Sequence, residues 1–312
     1  MGNKKNILIT GATGFIGSHI TKRLINDRYN VVAILRENSD TWRIKDIIKD
    51  IQVVNADITN LDSLKKISKD FDISGIFHLA VSTIQSGITA SDEEVIKTNL
   101  LGTVNLINAF ENVDYDFFIN TGSFLEYGPK SKPVKESDVC EPLELYSITK
   151  LASARFGQIK ATNNNKPIIT FRFFTPYGPL VHEGRLVYEV ISRALKGEEI
   201  ELTQPTITRD FIFVDDIVDL YIEAMQKAKD NSGEIFNLGS GKAVSIKELV
   251  DHVLKVTNSK SSVAWGTKDS VAYDSDLWQA DMSKTHSRFS WRPKVTFEQG
   301  IEKTINWIKE NK

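Results

Sequence analysis

Short apolar runs and longer amphipathic runs alternate along the first half of the chain. The short runs are rich in β-branched residues, as strands of a buried sheet are. The long runs repeat their apolar side chains at helical spacing, and they predict helices over residues 15–27 and 92–113. Strands are predicted over residues 6–10, 30–36, 51–57, 75–80, 115–123 and 167–175.

This alternation is typical of βαβ units, so we predict an α/β fold built on a Rossmann-type doubly wound parallel sheet. After Thr175, prolines and glycines mark a loop, and the pattern changes to helices separated by short strands. Ser245, with Glu248 three residues later, forms a capping box that begins one of these helices. The helices are predicted over 184–197, 214–229, 245–256 and 296–309, and the strands over 199–203, 209–213 and 234–238.

The change of pattern predicts two domains. Residues 1–176 are expected to form a dinucleotide-binding domain, with return segments around 209–240, and residues 177–312 a smaller α/β substrate domain. No low-complexity linker separates them, so we expect one compact body.

Composition and charge narrow the class of protein. Of the 312 residues 41% are hydrophobic, and 39 basic against 41 acidic side chains give a net charge of −2, which is untypical of nucleic-acid binders. No run approaches the roughly 20 apolar residues of a membrane span, and the N-terminus lacks the apolar core of a signal peptide. A single cysteine, Cys140, fits a reducing compartment. We expect a cytoplasmic protein with no metal site and no membrane or nucleic-acid partner.

A glycine-rich turn connects the first predicted strand to the first predicted helix. Gly11, Gly14 and Gly17 allow the backbone to approach a pyrophosphate closely, and the helix N-terminus offers N–H groups to the phosphates. Strand, turn and helix together predict a dinucleotide site. Its residues are expected to be Gly11, Thr13, Gly14, Phe15, Ile16 and Gly17.

The end of the second strand is expected to select the cofactor. Arg36 stands about 20 residues after the turn, where an acidic side chain would bind a ribose hydroxyl and an arginine a 2′-phosphate. We therefore favour NADP(H), with NAD(H) as the alternative if Arg36 is a solvated charge and Glu37 binds the ribose. Arg43 is a candidate second phosphate contact. Asp57, followed by Ile58, is a candidate to accept a hydrogen bond from the adenine amino group or to cap the following helix.

Tyr146 and Lys150 lie four residues apart on a predicted helix, so they share one face. An ammonium group beside a phenol favours the phenolate and lowers its pKa toward the range useful for proton transfer. Ser123 ends the fifth strand, at the sheet edge where ligands bind, and its hydroxyl can hydrogen-bond a substrate oxygen beside Tyr146. These three residues are the candidate catalytic set.

The glycine turn, Ser123 and the Tyr146/Lys150 pair, in this order, resemble the extended short-chain dehydrogenase/reductase superfamily. Within it, the chain looks most like the sugar-nucleotide epimerase/dehydratase branch. The resemblance extends over nearly the whole chain. Its further marks are His78-Leu79-Ala80, Thr98-Asn99-Leu100, Tyr127-Gly128, Phe171-Arg172-Phe173, Tyr177-Gly178-Pro179, the segment 209–216 and Phe236-Asn237-Leu238-Gly239-Ser240-Gly241.

The resemblance implies a role for each matching position. Tyr146 would be the acid/base, Lys150 would hold the nicotinamide ribose, and Ser123 would orient the sugar oxygen. Leu79, Ala80 and Asn99 would line the cofactor channel. Arg209 would reach the substrate's nucleotide or diphosphate. Thr175 is a candidate substrate residue, although the family usually has asparagine there for its diphosphate contact. The alternative role for Arg209 is a salt bridge to Asp210, Asp215 or Asp216. His78 is expected to be a packed strand-end residue.

Departures from the family pattern restrict the reaction. Dehydratases carry an Asp-Glu pair directly after the Ser/Thr, whereas this chain has Phe124 and Leu125. Glu126 comes one residue later, where an extended strand would point it to the opposite face. A 4,6-dehydratase is therefore disfavoured. Residues 35–44 and 201–203 look most like the branch of CDP-abequose and CDP-paratose synthases, which reduce 4-keto-6-deoxyhexoses.

We therefore predict an NAD(P)-dependent oxidoreductase that acts at C4 of a nucleoside-diphosphate sugar, most simply by reducing a 4-keto-6-deoxyhexose. An NAD-dependent C4 epimerase and a non-catalytic NAD(P)-binding regulator are the alternatives. The resemblance also implies a homodimer formed through the helices over 92–113 and 143–163. Recognition of the base is expected from the loops 181–185 and 263–276.

Overall fold

A computed structural model describes residues 6–82, 90–269, 275 and 277–311 of the chain. Its centre is a seven-stranded sheet in which every neighbouring pair of strands is parallel, in the order β10-β6-β5-β4-β1-β2-β3. These strands are β1 (Asn6–Thr10), β2 (Asn30–Leu35), β3 (Gln52–Asn55), β4 (Ile73–His78), β5 (Phe117–Ser123), β6 (Ile168–Phe173) and β10 (Ile235–Leu238). The predicted Rossmann-type α/β fold is confirmed.

Alternating side chains of β1 show how the sheet is buried on both faces. Ile7 and Ile9 pack into one apolar cluster, whereas Leu8 packs into another on the opposite face. Helices α1 and α7 cover the first face, and α2 and α4 the second. The helices around this sheet are α1 (Phe15–Asn26), α2 (Leu61–Asp70), α3 (Asp92–Val95), α4 (Gly102–Ala109), α5 (Leu145–Asn164) and α7 (Val214–Lys227).

A third apolar cluster lies among the C-terminal elements. Strands β7 (Thr175–Tyr177), β9 (Thr208–Phe213) and β11 (Ala243–Ser245) form one small sheet there, and β8 (Ile200–Leu202) pairs with β12 (Val263–Trp265). Helices α6 (Leu186–Lys196), α8 (Ile246–Thr257) and α10 (Phe297–Glu310) contribute apolar side chains to this cluster, and α9 (Ser283–Arg288) precedes α10. The predicted capping box of Ser245 and Glu248 begins α8.

Several predicted element boundaries are wrong, and three of the differences have a visible structural reason. The strand predicted over 167–175 divides after Phe173, because Thr175–Tyr177 pairs with β9 in the second sheet. The single helix predicted over 92–113 is interrupted by a π-helical segment, Ile96–Leu101, and its last part ends at Ala109. The helix predicted from residue 184 begins at Leu186, since Gly184 has φ of +80°. Helix α2 and strands β11 and β12 were not assigned from the sequence.

Within the described parts of the chain, none of the helices combines the length and the apolar character that spanning a bilayer would require.

Candidate active site

Two of the three glycines in the turn at the carboxyl end of β1, Gly11 and Gly17, leave no room for a side chain. Gly11 has φ of +75°, and a Cβ there would lie 2.6 Å from the backbone nitrogen of Ala80. A Cβ on Gly17 would lie 2.0 Å from the carbonyl oxygen of Gly11. The first turn of the helix therefore packs directly on the turn, beside Leu79 and Ala80 at the end of β4. That these two residues line a cofactor channel stays a prediction.

The N-terminus of α1 is open to an anion. Its N-cap residue is Gly14, no side chain caps the helix, and no acidic side chain lies in its first turn. The first N–H groups of this 12-residue helix thus lack a side-chain acceptor, and the helix dipole favours negative charge there. Phe15 and Ile16 open the helix, with the Phe15 ring edge-on to His19 at 5.7 Å. This cradle fits the diphosphate of a dinucleotide.

Arg36 directly follows β2, and 61% of its side chain is exposed. Its Nη1 lies 3.9 Å from Glu94 Oε1, a distance at which a solvated pair contributes little. The guanidinium is therefore available to a phosphate group at the strand end, where an arginine was predicted to select the cofactor.

Arg43 is buried beside the glycine turn rather than extended toward solvent. Its Nε donates to the carbonyl oxygen of Leu180 at 2.9 Å, and its Nη1 to that of Thr13 at 3.4 Å. Its Nη2 is buried without an acceptor among the described residues, and burial lowers the pKa of Arg43 to about 10. The chain thus holds an incompletely paired cation against the turn, consistent with the predicted phosphate contact.

One of the two alternatives for Asp57 was that it caps the following helix, and this alternative is wrong. Asn60 is the N-cap of α2, because its side chain accepts from the Ser63 N–H. Asp57 is exposed, and its Oδ1 accepts from the Thr59 N–H at 2.8 Å. The Ile58 side chain is buried in the core, whereas that of Asp57 lies at the surface.

Ser123, Tyr146 and Lys150 come together at the carboxyl end of the sheet. Ser123 is the last residue of β5, and Tyr146 and Lys150 lie on the first turns of α5, which packs against that strand. The Ser123 side chain hydrogen-bonds the Tyr146 phenol, and the Lys150 side chain is buried. The structure thus brings the three predicted catalytic residues into one site.

The electrostatics of this site differ from the expectation for the Tyr-Lys pair. Burial raises the pKa of Tyr146 to about 12, while the Arg185 guanidinium and the Ser123 hydrogen bond lower it and Glu126 and Glu144 raise it. Burial also lowers the pKa of Lys150 itself, to about 8.

Arg185 is a site residue that sequence reasoning did not single out. It is the N-cap residue of α6 and exposed, yet its charge is the strongest of those acting on Tyr146. The sequence placed it only in the loop expected to recognise the base, because its proximity to Tyr146 depends on how α6 packs. Of the other loop expected to recognise the base, residues 270–274 and 276 lie outside the described residues.

Asn99 connects the π-helical segment to α5. It is 1% exposed, and its Nδ2 donates to the Ser82 carbonyl oxygen at 2.9 Å and to Thr149 Oγ1 at 3.2 Å. Thr149 Oγ1 in turn donates to the carbonyl oxygen of Tyr146 at 2.7 Å. Asn99 therefore supports the helix turn that carries Tyr146.

His78 is the packed strand-end residue that was expected. Its ring nitrogens lie 2.7 Å from Thr10 Oγ1 and 2.8 Å from Thr103 Oγ1. Burial, reinforced by the charge of Lys150, lowers the pKa of His78 to about 3, so the ring is neutral. A neutral ring between two hydroxyl groups connects β1, β4 and α4.

Glu126 contradicts the expectation that it would point away on an extended strand. The strand ends at Ser123, and a 3₁₀ turn, Phe124–Tyr127, folds the carboxylate back beneath it. Glu126 is fully buried, where its Oε1 accepts from the Ser123 N–H at 2.8 Å. The Phe124 ring packs against Phe174 and Trp278, with ring centroids 5.4 and 4.7 Å away.

The two predicted substrate residues lie in the second sheet. Thr175 is on β7 and Arg209 is on β9. Thr175 comes two residues after Phe173, which pairs with Ser123 in the main sheet. The Arg209 Nη1 donates to the Thr208 carbonyl oxygen at 2.9 Å. The carboxylates of Asp210 and Asp216 accept hydrogen bonds from backbone N–H groups elsewhere.

Comparison with known proteins supports this description. Residues 7–239 match the NAD dependent epimerase/dehydratase family. UDP-glucuronate 4-epimerase of Thermodesulfobacterium geofontis is 28% identical over 97% of this chain and 96% of its own length. CDP-abequose synthase of Salmonella muenchen is 25% identical over 97% of each protein. The solved structure of Bacillus cereus UDP-glucuronic acid 4-epimerase, in complex with UDP-glucuronic acid and NAD, is 28% identical with a TM-score of 0.88, and covers 98% of this chain and 100% of the other.

Proposed function

The chain belongs to the NAD dependent epimerase/dehydratase family, and from this we propose that it is an NADP(H)-dependent oxidoreductase acting at C4 of a nucleoside-diphosphate sugar. The reaction that fits best is the reduction of a 4-keto-6-deoxyhexose. One observation carries the proposal: Ser123, Tyr146 and Lys150 converge at the sheet edge beside a turn that fits a dinucleotide diphosphate.

The side chains of the site have distinct roles in this reduction. The cofactor, when bound in the glycine turn, supplies hydride to the sugar carbon. Tyr146 donates its phenolic proton to the oxygen on C4, which suits a phenol that burial keeps protonated at neutral pH. The Ser123 hydroxyl holds the same oxygen by a hydrogen bond. The Lys150 ammonium binds the cofactor ribose and stabilises negative charge as the proton leaves Tyr146.

Elimination of water is disfavoured because the two residues directly after Ser123 carry no carboxylate. Phe124 packs among aromatic rings and Leu125 is buried. Glu126 is engaged by the Ser123 N–H and by Arg172. These contacts support a site that transfers hydride and one proton without a second acid/base pair.

The exposed Arg36 guanidinium at the end of β2 supports NADP(H), because a 2′-phosphate would pair with it. Arg43, whose Nη1 donates to the Thr13 carbonyl oxygen at the glycine turn, would be a second contact of the cofactor phosphates. The acidic Asp57 and the backbone of Ile58 would lie at the adenine, and Asn99, Leu79 and Ala80 along the channel.

The substrate would bind between the seven-stranded sheet and the C-terminal elements. We propose residues 177–312, apart from the return segments around 209–240, as the substrate domain. Arg209, at the start of the return segments, would contact the nucleotide or diphosphate, and Thr175 on the neighbouring strand β7 would contact the diphosphate. The protein would act in the cytoplasm.

Two copies of the chain would pair through the helices over 92–113 and 143–163. Four exposed apolar side chains on these segments support the pairing: Ile96, Leu101, Ile148 and Ile159. Sedimentation showing monomer alone at micromolar concentration would remove the dimer.

A C4 epimerase is the second candidate, favoured by the 4-epimerases among the relatives. It would use the same three side chains but retain its cofactor between two half-reactions. A non-catalytic NAD(P)-binding regulator would have no use for the intact Ser123, Tyr146 and Lys150.

Cofactor binding tests the proposal. The purified protein is titrated with NADPH and with NADH, in parallel with Arg36→Asp and with Arg28→Asp, a control on the loop before β2. The reductase predicts tighter binding of NADPH that reverses in Arg36→Asp alone, and turnover of 4-keto sugar nucleotides. Tightly held NAD(H) that co-purifies, with interconversion of C4 epimers, would establish the epimerase instead.

A further inference from the structure

A 3₁₀ turn with two reciprocal hydrogen bonds follows the strand that carries Ser123. Ser123 Oγ accepts from the Leu125 N–H at 3.2 Å, and Glu126 Oε1 accepts from the Ser123 N–H at 2.8 Å. Both the backbone and the side chain of Ser123 are thus fixed by residues that follow it. Because Leu125 donates to Oγ, the Ser123 hydroxyl proton is free to point toward the Tyr146 phenol or a substrate oxygen.

The second oxygen of Glu126 binds an arginine from the neighbouring strand. Arg172 Nε donates to Glu126 Oε2 at 2.7 Å, and neither side chain is exposed by more than 1%. The Arg172 guanidinium otherwise lies over the Tyr127 ring, 4.5 Å from its centroid, and Nη1 and Nη2 have no well-aligned acceptor among the described residues. Glu126 is therefore the group that balances a buried positive charge.

The strand carries a glycine where this ion pair needs space. Gly122 pairs in register with Arg172, and a Cβ on it would lie 2.6 Å from Glu126 Oε1 and 3.2 Å from Arg172 Cγ. A buried ion pair adds little net stability, since desolvation of the two charges offsets their attraction. Apolar side chains would fill the space at no loss of stability, so stability alone does not explain the pair.

We infer that Glu126, held by Arg172, is a positioning residue of the acid/base site: it fixes the Ser123 backbone and thereby aims the Ser123 hydroxyl at the oxygen that Tyr146 protonates. The inference rests on the proposed function of Ser123 and Tyr146. Arg172 acts one step further away, by holding the Glu126 carboxylate in place.

The charge of Glu126 also reaches the proton-transfer groups. It raises the pKa of Tyr146, as Glu144 does, against the opposing effects of Arg185 and Ser123, and it raises the pKa of Lys150. Loss of the Glu126 charge therefore lowers both pKa values. A change confined to packing would leave them unaltered, so these values show whether the Glu126 charge acts on the acid/base site.

The first test is Glu126→Gln in the full-length protein. Glutamine keeps the shape but removes the charge, and its single acceptor oxygen cannot replace both carboxylate oxygens, which accept from the Ser123 N–H and from Arg172 Nε. We expect kcat to fall 10- to 100-fold, with the KM for substrate and the Kd for NADPH within about threefold of the wild type. The Tyr146 pKa, measured by NMR of [ζ-¹³C]tyrosine and assigned with Tyr146→Phe, should decrease. The matched control is Glu136→Gln, because Glu136 also accepts a backbone N–H, that of Asn237 at 2.8 Å. It should change none of these values.

A double variant separates positioning from stability. Glu126→Leu combined with Arg172→Met removes both charges and should fold with a melting temperature near that of the wild type, yet keep the low kcat. Full recovery of kcat in the double variant would overturn the inference, as would Glu126→Gln with wild-type kcat and an unchanged Tyr146 pKa.

The NMR measurement also separates this inference from the proposed function. If the wild type turns over no 4-keto sugar nucleotide, the proposed function fails. The Tyr146 pKa and the Ser123 amide proton shift of Glu126→Gln still report on the positioning: movement of both supports it, and no movement of either overturns it.

Discussion

Asp210 and Ser240 are joined by two hydrogen bonds, from the Ser240 backbone N–H at 2.6 Å and from its Oγ at 2.7 Å, both to Asp210 Oδ1. The other carboxylate oxygen accepts from the N–H groups of Gly241 and Ala280, each at 3.0 Å. The buried Asp210 side chain on β9 thereby binds both the turn after β10 and the segment that precedes α9. These hydrogen bonds join the seven-stranded sheet to the C-terminal elements.

Asp210→Asn should destabilise the protein by about 3 kcal/mol at neutral pH. The amide NH₂ cannot accept hydrogen bonds, so buried N–H donors lose their acceptor. Urea unfolding followed by circular dichroism measures the change. Asp251→Asn is the control, because that carboxylate forms an exposed i,i+4 pair with Lys247 and should change stability by less than about 0.5 kcal/mol.

The same carboxyl group should make stability depend on pH. Burial raises the pKa of Asp210 to about 6, above its value of about 3.9 in an unfolded chain. The native state therefore binds this proton more tightly. The resulting stabilisation is full below about pH 4 and is lost as the pH rises through about 6, amounting to at most about 3 kcal/mol. Urea unfolding between pH 4 and 7 should show this decline in the wild type, and identical profiles for wild type and Asp210→Asn would contradict it.

Gly11→Ala should abolish cofactor binding. A Cβ at Gly11 lies 2.6 Å from backbone atoms of Leu79 and Ala80, so the turn must move away from the position that receives a diphosphate. Gly197→Ala is the matched control, since Gly197 has a similar φ of +72° but no atom within 4 Å of its Cβ. That control should lose about 1 kcal/mol of stability from backbone strain and bind NADPH normally. Isothermal titration of both variants measures the difference, and normal binding by Gly11→Ala would remove the turn from the cofactor site.

Tyr146→Phe should lower turnover by several orders of magnitude while the Kd for NADPH stays within about threefold. The ring remains packed on its neighbours, but the proton donor is gone. Single-turnover oxidation of NADPH, followed by its absorbance, measures the chemical step. Tyr188→Phe, which removes an exposed hydroxyl that donates to Glu183, is the control. Unchanged turnover in Tyr146→Phe would refute the acid/base mechanism.

Turnover should decline as the pH rises through about 8. Burial lowers the pKa of Lys150 to about that value, so the ammonium that stabilises charge near Tyr146 becomes neutral in this range. Lys150→Arg keeps the charge at higher pH and should shift the decline upward, at the cost of a lower maximal rate. The pH dependence of kcat/KM for the free enzyme provides the measurement. A profile that is flat from pH 7 to 10 would contradict the assignment.

The sequence predicted the elements and residues whose signals are local. The period of apolar side chains indicated the strands of the main sheet and most helices, and the glycine turn between strand and helix indicated the diphosphate cradle. The four-residue spacing placed Tyr146 and Lys150 on one helix face. Because these patterns arise within a few consecutive residues, no knowledge of distant contacts was needed.

Other features depended on contacts between distant residues. Periodicity could not separate β6 from β7, because the second sheet receives Thr175–Tyr177 only through pairing with β9. The π-helical segment around Asn99 was also not predicted, since its hydrogen bonds join Ser82 and Thr149 from other elements. Local propensity carries no information about either.

What the sequence determined by itself is the type of fold, the position of the dinucleotide turn and the identity of the three candidate catalytic residues. The tertiary structure alone decided the environment of those residues. It buried Tyr146 so that its pKa rises, brought Arg185 near it from another helix, and turned Glu126 back beneath Ser123 to meet Arg172. The physical reason is that desolvation and charge interactions depend on distance in space, which chain spacing does not specify beyond a turn or two of helix.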